Sequence, residues 1–255
     1  MKKMMFTLIT GLMAVVLVAC GGNEESTEAK NDDKAKTAET DQQKEQQKQM
    51  EEMQKKLEAQ QIDENKTVAI VNDKEILGSD YNTTLASIQG QMQQMGQDPT
   101  SKEAAKQVKN QTIDSLVGKT LLLQEADKKG YKVSEADINK QLDEVKKQFK
   151  TEKEFETALK QSGMDMKTLE TQIADDIKLN QYVEKEVPAG EITDEEIQKT
   201  YDQYAEQGKS TGQEVPKLEE VKPQIEQSLQ QQKQQEKLAQ QVEELKKNAK
   251  IDIKI

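Results

Sequence analysis

The sequence predicts a mainly α-helical fold: one lobe of seven helices carrying a small β-sheet formed by an N-terminal hairpin and a C-terminal strand. Three observations predict it. Apolar residues recur at spacings of three and four through most of residues 79–249. Most of these helical stretches open on a capping residue such as Ser101, Ser134, Thr151 or Thr193. Short segments of strand character stand before the helical series, at residues 67–77, and after it, at residues 251–255.

The chain opens on a targeting segment. Lys2 and Lys3 precede an apolar run from Met4 through Val18, which exits through Leu17-Val18-Ala19-Cys20. The run is too short for a membrane span, which needs about 20 residues. Leu17, Val18, Ala19 and Cys20 resemble a lipobox, so residues 1–19 are expected to be a lipoprotein signal peptide and Cys20 the lipidated residue. This places the protein at the cell membrane, lipid-anchored and facing outside the cytoplasm.

Residues 20–65 are almost entirely Glu, Lys, Gln, Asp, Asn, Thr and Ala. Such a stretch buries too little apolar surface to offset its ordering entropy, and it reads as a disordered polar tether. Order is expected from residue 66. Val68-Ala69-Ile70-Val71, the turn Asn72-Asp73-Lys74 and Glu75-Ile76-Leu77 form a hairpin.

The first helix runs from Ser79, its cap, to Met95, with Tyr81, Leu85, Ile88, Met92 and Met95 on one face. The second starts near Ser101 and stops at Gly130; Ile113, Leu116, Val117, Leu121, Leu122, Leu123 and Ala126 make it apolar on more than one face, as suits the helix the others surround. The third, capped by Ser134, presents Ile138, Leu142, Val145 and Phe149. The fourth opens on the Thr151/Glu154 capping-box spacing, carries Phe155 and Leu159, and stops at Gly163. The fifth runs from Asp165 to about Val187, before Pro188. The sixth opens on Thr193 and Glu196 and presents Ile197, Tyr201 and Tyr204.

A loop is expected over residues 206–216, followed by a last helix from about Leu218 to Ala249. That helix has apolar ends but an entirely polar middle, residues 230–237, which must be exposed or bridging. The alternating tail Ile251-Asp252-Ile253-Lys254-Ile255 finds its best partner in the hairpin, because an isolated hairpin is marginal.

Composition excludes several kinds of function. The chain has no histidine and a single cysteine. With Cys20 lipidated, Ser-His-Asp and Cys-His nucleophiles and His- or Cys-based metal sites are ruled out; paired carboxylates remain open, but among 48 acidic residues a given Asp or Glu is expected on a solvated face, and no metal, cofactor or enzymatic activity is expected. The net charge is −11, and loss of Lys2 and Lys3 with the signal peptide lowers it to −13. All 37 basic residues are lysine, so bidentate arginine clamps for phosphate are absent. A nucleic-acid partner is excluded on the same charge argument. At 3% aromatic residues and no Trp, a stacking pocket is disfavoured.

The order of segments resembles the SurA/PrsA group of extracytoplasmic chaperones. The residues that carry the resemblance are Val68-Ala69-Ile70-Val71-Asn72 with Ile76 and the helix after it, the junction Lys129-Gly130-Tyr131-Lys132-Val133-Ser134, the Phe155 helix, the entry Ile192-Thr193-Asp194-Glu195-Glu196-Ile197 to Tyr201, and Leu218-Glu219-Glu220-Val221-Lys222 to Ile225. Asp73 replaces the glycine frequent in the family's turn, at little cost. The resemblance implies one chaperone-like lobe, residues 66–255, built from 66–205 and 217–255, with 206–216 where the family commonly inserts a parvulin-type prolyl isomerase domain. Too few residues lie there for such a domain, which even at about 40 residues would be marginal. The parvulin site also uses histidines. The expected function is therefore a membrane-anchored holdase for unfolded or partly folded exported proteins, without isomerase activity. The flexible side chains of Met92, Met95, Met164 and Met166, with Tyr81 beside them, are the candidate client-binding residues. The alternative is a helical scaffold lipoprotein that recruits one specific partner at the cell surface. An all-lysine basic complement and a lipid anchor suit a Gram-positive envelope.

Overall fold

The computed structural model describes residues 33–162, 164–212 and 215–255, so the signal peptide, Cys20 with the rest of the lipobox, and the expected helix stop at Gly163 lie outside the described residues. The chain divides into two compact units, Met1–Met50 and Glu51–Ile255. Helix α1 (Asp33–Glu58) begins in the first and ends in the second. The stretch expected to lack regular structure is thus helical over much of its length. Its Glu, Lys, Gln and Ala are all strong helix formers, so local propensity favours a helix even where no core is available.

The second unit is built around a three-stranded antiparallel sheet. β1 (Thr67–Val71) and β2 (Lys74–Leu77) form the expected hairpin, and Asn72 makes its turn at φ 56°, a left-handed conformation that asparagine tolerates. β3 (Ile251–Ile253) comes back from the far end of the chain to the other edge of β1, giving the order β2-β1-β3 and pairing Ala69 with Ile253, Ile70 with Asp252 and Val71 with Ile251. Asn72 joins the two ends of the lobe. Its backbone N–H donates to Lys250 O at 2.7 Å, its Oδ1 accepts from Lys250 N at 3.0 Å, and its Nδ2 donates to Gln124 Oε1 at 2.7 Å.

The helices follow their apolar stripes: α2 (Gly78–Gln94), α3 (Lys102–Lys128), α4 (Glu135–Lys146), α5 (Glu152–Gln161), α6 (Met166–Glu186), α7 (Asp194–Thr211) and α8 (Leu218–Lys247). Ser101, Ser134, Thr151, Asp165 and Thr193 each accept a backbone N–H of the first turn, and Thr193 with Glu196 completes a capping box. Ser79 is the exception. α2 starts one residue earlier without a side-chain cap, and the amides of Gly78 and Ser79 donate instead to Lys66 O at 2.8 Å and Glu64 O at 2.9 Å. The segment before β1 does the work of the cap, so the lobe is ordered from about Gln60 rather than residue 66. Asn82 supports this by bonding both the N–H and the C=O of Ile62, whose side chain reaches the core.

Among the described residues, three cores hold the unit. The largest joins the sheet to α2 and α3, with Tyr81, Leu85, Val108 and Val117 buried in it and Leu245, Ile251 and Ile255 packed against it. A second joins α3, α6 and α8 through Leu122, Ala126, Tyr182, Leu238 and Val242. The third lies within α4, α5 and the start of α6, around Leu142, Phe155, Leu159 and Ile173. α3 contributes to the first two, as its broad apolar surface predicts.

The loop expected over 206–216 is shorter than that, because α7 continues to Thr211 before Gly212 turns left-handed at φ 71°. Only residues 212–217 separate α7 from α8, and Tyr201 donates its hydroxyl to Pro216 O at 2.9 Å across the turn. The polar middle of α8 is a bridge. Lys233 pairs with Glu196 at 2.7 Å and bonds Glu191 O, while Lys237 bonds Pro188 O at 2.8 Å. These ammonium groups fasten α8 to the connection between α6 and α7.

Lys233 and the Thr193 amide hold the Glu196 carboxyl down at about 2. A depressed carboxyl contributes stability above its unfolded value near 4.5 and loses it as pH falls through about 2. Lys233→Ala is therefore expected to lower the melting temperature at pH 7 and to flatten its further fall between pH 4.5 and 2, read by circular dichroism. Parallel pH curves for variant and parent would mean that the pair is not formed in solution.

Candidate functional site

The five residues singled out as client-binding candidates do not form one surface. Tyr81 is only 2% exposed and belongs to the main core, so its place in the helical stripe reflects packing and not binding. Met92 is half-buried against the same core. Met95, just past the end of α2, is 61% exposed. Met164 and Met166 pack against the third core, where they line a cavity of about 440 Å³ with Phe155 and Leu159. Helical spacing placed these side chains on faces, but only tertiary packing decides which faces are covered.

A larger concavity lies elsewhere, in a groove of about 1090 Å³ between α3, α6 and α8. Gly118, Leu122, Leu179, Leu238, Ala239 and Val242 give it an apolar floor. α3 and α8 run antiparallel past it. Asp114 faces Lys246 at 3.6 Å, and a Cβ on Gly118 would stand 3.2 Å from the Val242 side chain, so the missing side chain lets the two helices approach. The rim is polar: Gln107, Asn110 and Gln111 from α3, with Gln235 from α8. Two of its charges are tied up locally, Lys119 to Asp176 at 2.8 Å and Glu243 to Lys246 at 3.0 Å.

A second, more polar crevice of about 660 Å³ runs between β2, α2, α3 and the start of α6. The end of α6 is pinned beside α3 by Glu186, which accepts from Lys129 and from the Tyr131 hydroxyl at 2.8 Å. These two donors hold the Glu186 carboxyl below its ordinary value. Tyr131 stacks edge-on against Tyr182 at 5.9 Å. Among the described residues, each carboxyl with a displaced pKa is displaced downward and sits in a cap, a tight turn or an ion pair. That is the chemistry of structural anchors, since a general acid at neutral pH needs a carboxyl pushed up. No group of His, Cys, Asp or Glu among the described residues is arranged to hold a metal. No helix among them is long and apolar enough to cross a membrane.

The sequence reading missed the groove. The broad apolar surface of α3 was its one visible signal, but nothing local says that α8 residues 235–243 lie across from α3 residues 103–122.

Residues 59–183 match the family model described as the SurA-like N-terminal domain. The match starts beside Gln60, where the structure also places the beginning of the ordered lobe. Among curated proteins, the chain is 27% identical over 147 residues to "Foldase protein PrsA" of Caldanaerobacter subterraneus, covering 54% of this chain and 43% of that protein. It is 29% identical over 135 residues to "Chaperone SurA" of Alcanivorax borkumensis, covering 52% and 30%. A "Foldase protein PrsA" of Clostridium perfringens is 33% identical over 155 residues, covering 55% and 43%. The chain thus spans less than half the length of these relatives. With the mainly helical lobe, the hairpin and the returning strand, these matches support a SurA/PrsA-type chaperone-like protein with a SurA-like N-terminal domain over residues 59–183.

Proposed function

We propose that this protein is a membrane-anchored extracytoplasmic holdase, tethered by lipid at Cys20, that binds unfolded or partly folded exported proteins and has no prolyl isomerase activity. The observation that carries the reading is the apolar-floored, polar-rimmed groove in a lobe of the SurA/PrsA type. A long open groove with an adaptable rim suits varied extended chains better than one rigid ligand. The lipobox Leu17, Val18, Ala19 and Cys20 supports the anchor, and the polar stretch after it supports a spacer role. Against isomerase activity stand the absence of histidine and the six residues, 212–217, that join α7 to α8.

The test is an aggregation assay on a chemically unfolded protein, run without nucleotide. The folded chain is expected to suppress light scattering at near-stoichiometric ratios, and raised salt is expected to weaken capture of basic clients more than neutral ones, given the net charge of −11. In parallel, cis-to-trans conversion of a proline peptide should stay at its spontaneous rate of tens to hundreds of seconds. Failure to protect any client, with tight capture of one native partner, would replace the holdase by the scaffold reading.

A further inference from the structure

β3 is an edge strand whose sequence is complementary to itself. The sheet order β2-β1-β3 leaves its outer edge without a neighbouring strand among the described residues. The Asn72 N–H donates to Lys250 O and the Lys254 N–H donates to Val68 O, with Ile70 opposite Asp252 between them. Hydrogen-bonded and non-bonded pairs alternate along an antiparallel ladder, so the N–H and C=O groups of Ile251 and Ile253 turn away from β1 toward the open edge. By the same alternation, so do those of Ile255.

The side chains alternate as well. Ile251 and Ile255 pack against the core under the sheet, whereas Ile253, on the same face between them, stays 41% exposed. Asp252 and Lys254 are exposed on the opposite face, where they pair with each other at 2.5 Å. A lysine on an edge strand ordinarily guards it against pairing. Here its counter-charge lies two residues away, and an antiparallel strand of the same sequence presents that charge to it. With Ile253 set opposite its own counterpart, Ile251 faces Ile255 and Asp252 faces Lys254 on both sides of a two-fold axis. The isoleucines with free backbone groups then form the hydrogen-bonded pairs, and the charged residues form the closer non-bonded pairs, each opposite its counter-ion. Centring the pair on Asp252 or on Lys254 would set like charges against each other. Any register that places an isoleucine opposite Asp252 or Lys254 would aim free backbone groups at groups already bonded to β1. Only the register centred on Ile253 satisfies both conditions.

We propose that β3 is a self-recognition edge: the β3 strand of a second copy of this chain adds antiparallel to it, centred on Ile253, and joins the two sheets into one. The contact is isologous, since each strand supplies both halves of every pair. A net charge of −11 opposes indiscriminate association of copies, so pairing must rest on a local match of this kind. The seam is short against the roughly 1,200 Å² that stable interfaces bury, so dimers are expected at about 10 μM and above.

Sedimentation velocity of the full chain, in a mild detergent that covers the apolar run Met4–Val18, tests the proposal. The parent should show a monomer–dimer equilibrium. Asp252→Lys and Lys254→Asp each turn both cross-strand charge pairs into like-charge pairs, and each should weaken self-association about tenfold. Mixed in equal amounts, the two variants restore opposite charges at both positions, and the mixture should dimerise within a few-fold of the parent. Ile253→Pro removes an outward N–H while leaving the bond from Lys254 to Val68 in place, so it should abolish dimerisation with little change in melting temperature. A parent that stays monomeric up to about 1 mM would overturn the proposal. So would single charge variants that dimerise as well as the parent, or a mixture no tighter than either variant alone, because the contact would then lie on another face.

Discussion

Removal of residues 238–255 is expected to unfold the lobe. The deletion takes Leu238 and Val242 from the core shared by α3, α6 and α8, and Leu245 from both that core and the one under the sheet. It also removes β3, which closes one edge of β1, and Ile255, which packs beneath it. Each fully buried aliphatic side chain is worth roughly 1.5 to 3 kcal/mol, against a total of about 5 to 15 for a domain. Even at half-burial, these five side chains, Ile251 included, sum to roughly 4 to 7 kcal/mol, comparable with the whole stability of a domain, and the lost strand pairing adds to the loss. Removing residues 33–50 should leave the melting temperature within about a degree, because the described side chains among them are exposed and contribute no core. Circular dichroism melts of the two deletions check this directly. Equal losses would mean that the two ends of the chain do not build one lobe.

The second large effect is expected at Gly78. An ideal Cβ there would lie 1.9 Å from Asp63 O and 2.9 Å from Asp63 C, so no side-chain rotation relieves the clash. Gly78→Ala must push the segment before β1 away from α2. That breaks the bonds from Gly78 N to Lys66 O and from Ser79 N to Glu64 O, which serve in place of a helix cap. Overpacking plus two lost bonds should cost about 3 kcal/mol, or roughly 6 to 12 °C in melting temperature for a unit of this size. Gly90→Ala is the control. It lies in the same helix with open space around it and should be neutral or slightly stabilising.

The contrast between these two glycines shows what was legible in the sequence. Helix existence and type follow from local pattern, so the α3 stripe, the Ser134 cap and the Thr193/Glu196 capping box are visible directly. The return of residues 251–255 to the hairpin is also legible, because an alternating tail needs a partner and few are on offer. Gly78 is not legible as a contact. Its role is to admit the backbone of Asp63, a neighbour set by tertiary structure. The same holds for α1, where composition alone predicts disorder while strong helix propensity wins locally. It holds for Tyr81 as well, whose stripe position is the same whether it faces a core or a client. The groove was the least legible feature of all, since its walls come from residues more than a hundred positions apart.

That groove is the center of the functional account, and crosslinking tests it most directly. A photoreactive amino acid placed at Ala239 on the floor, or in place of Gln111 on the rim, should capture an unfolded client when illuminated. The same group at Gln227, on an exposed part of α8 outside the groove, should not. Strong labelling from positions 239 and 111 with little from 227 is the predicted result. Equal labelling from all three, or labelling from 227 alone, would contradict the claim that clients are held between α3, α6 and α8.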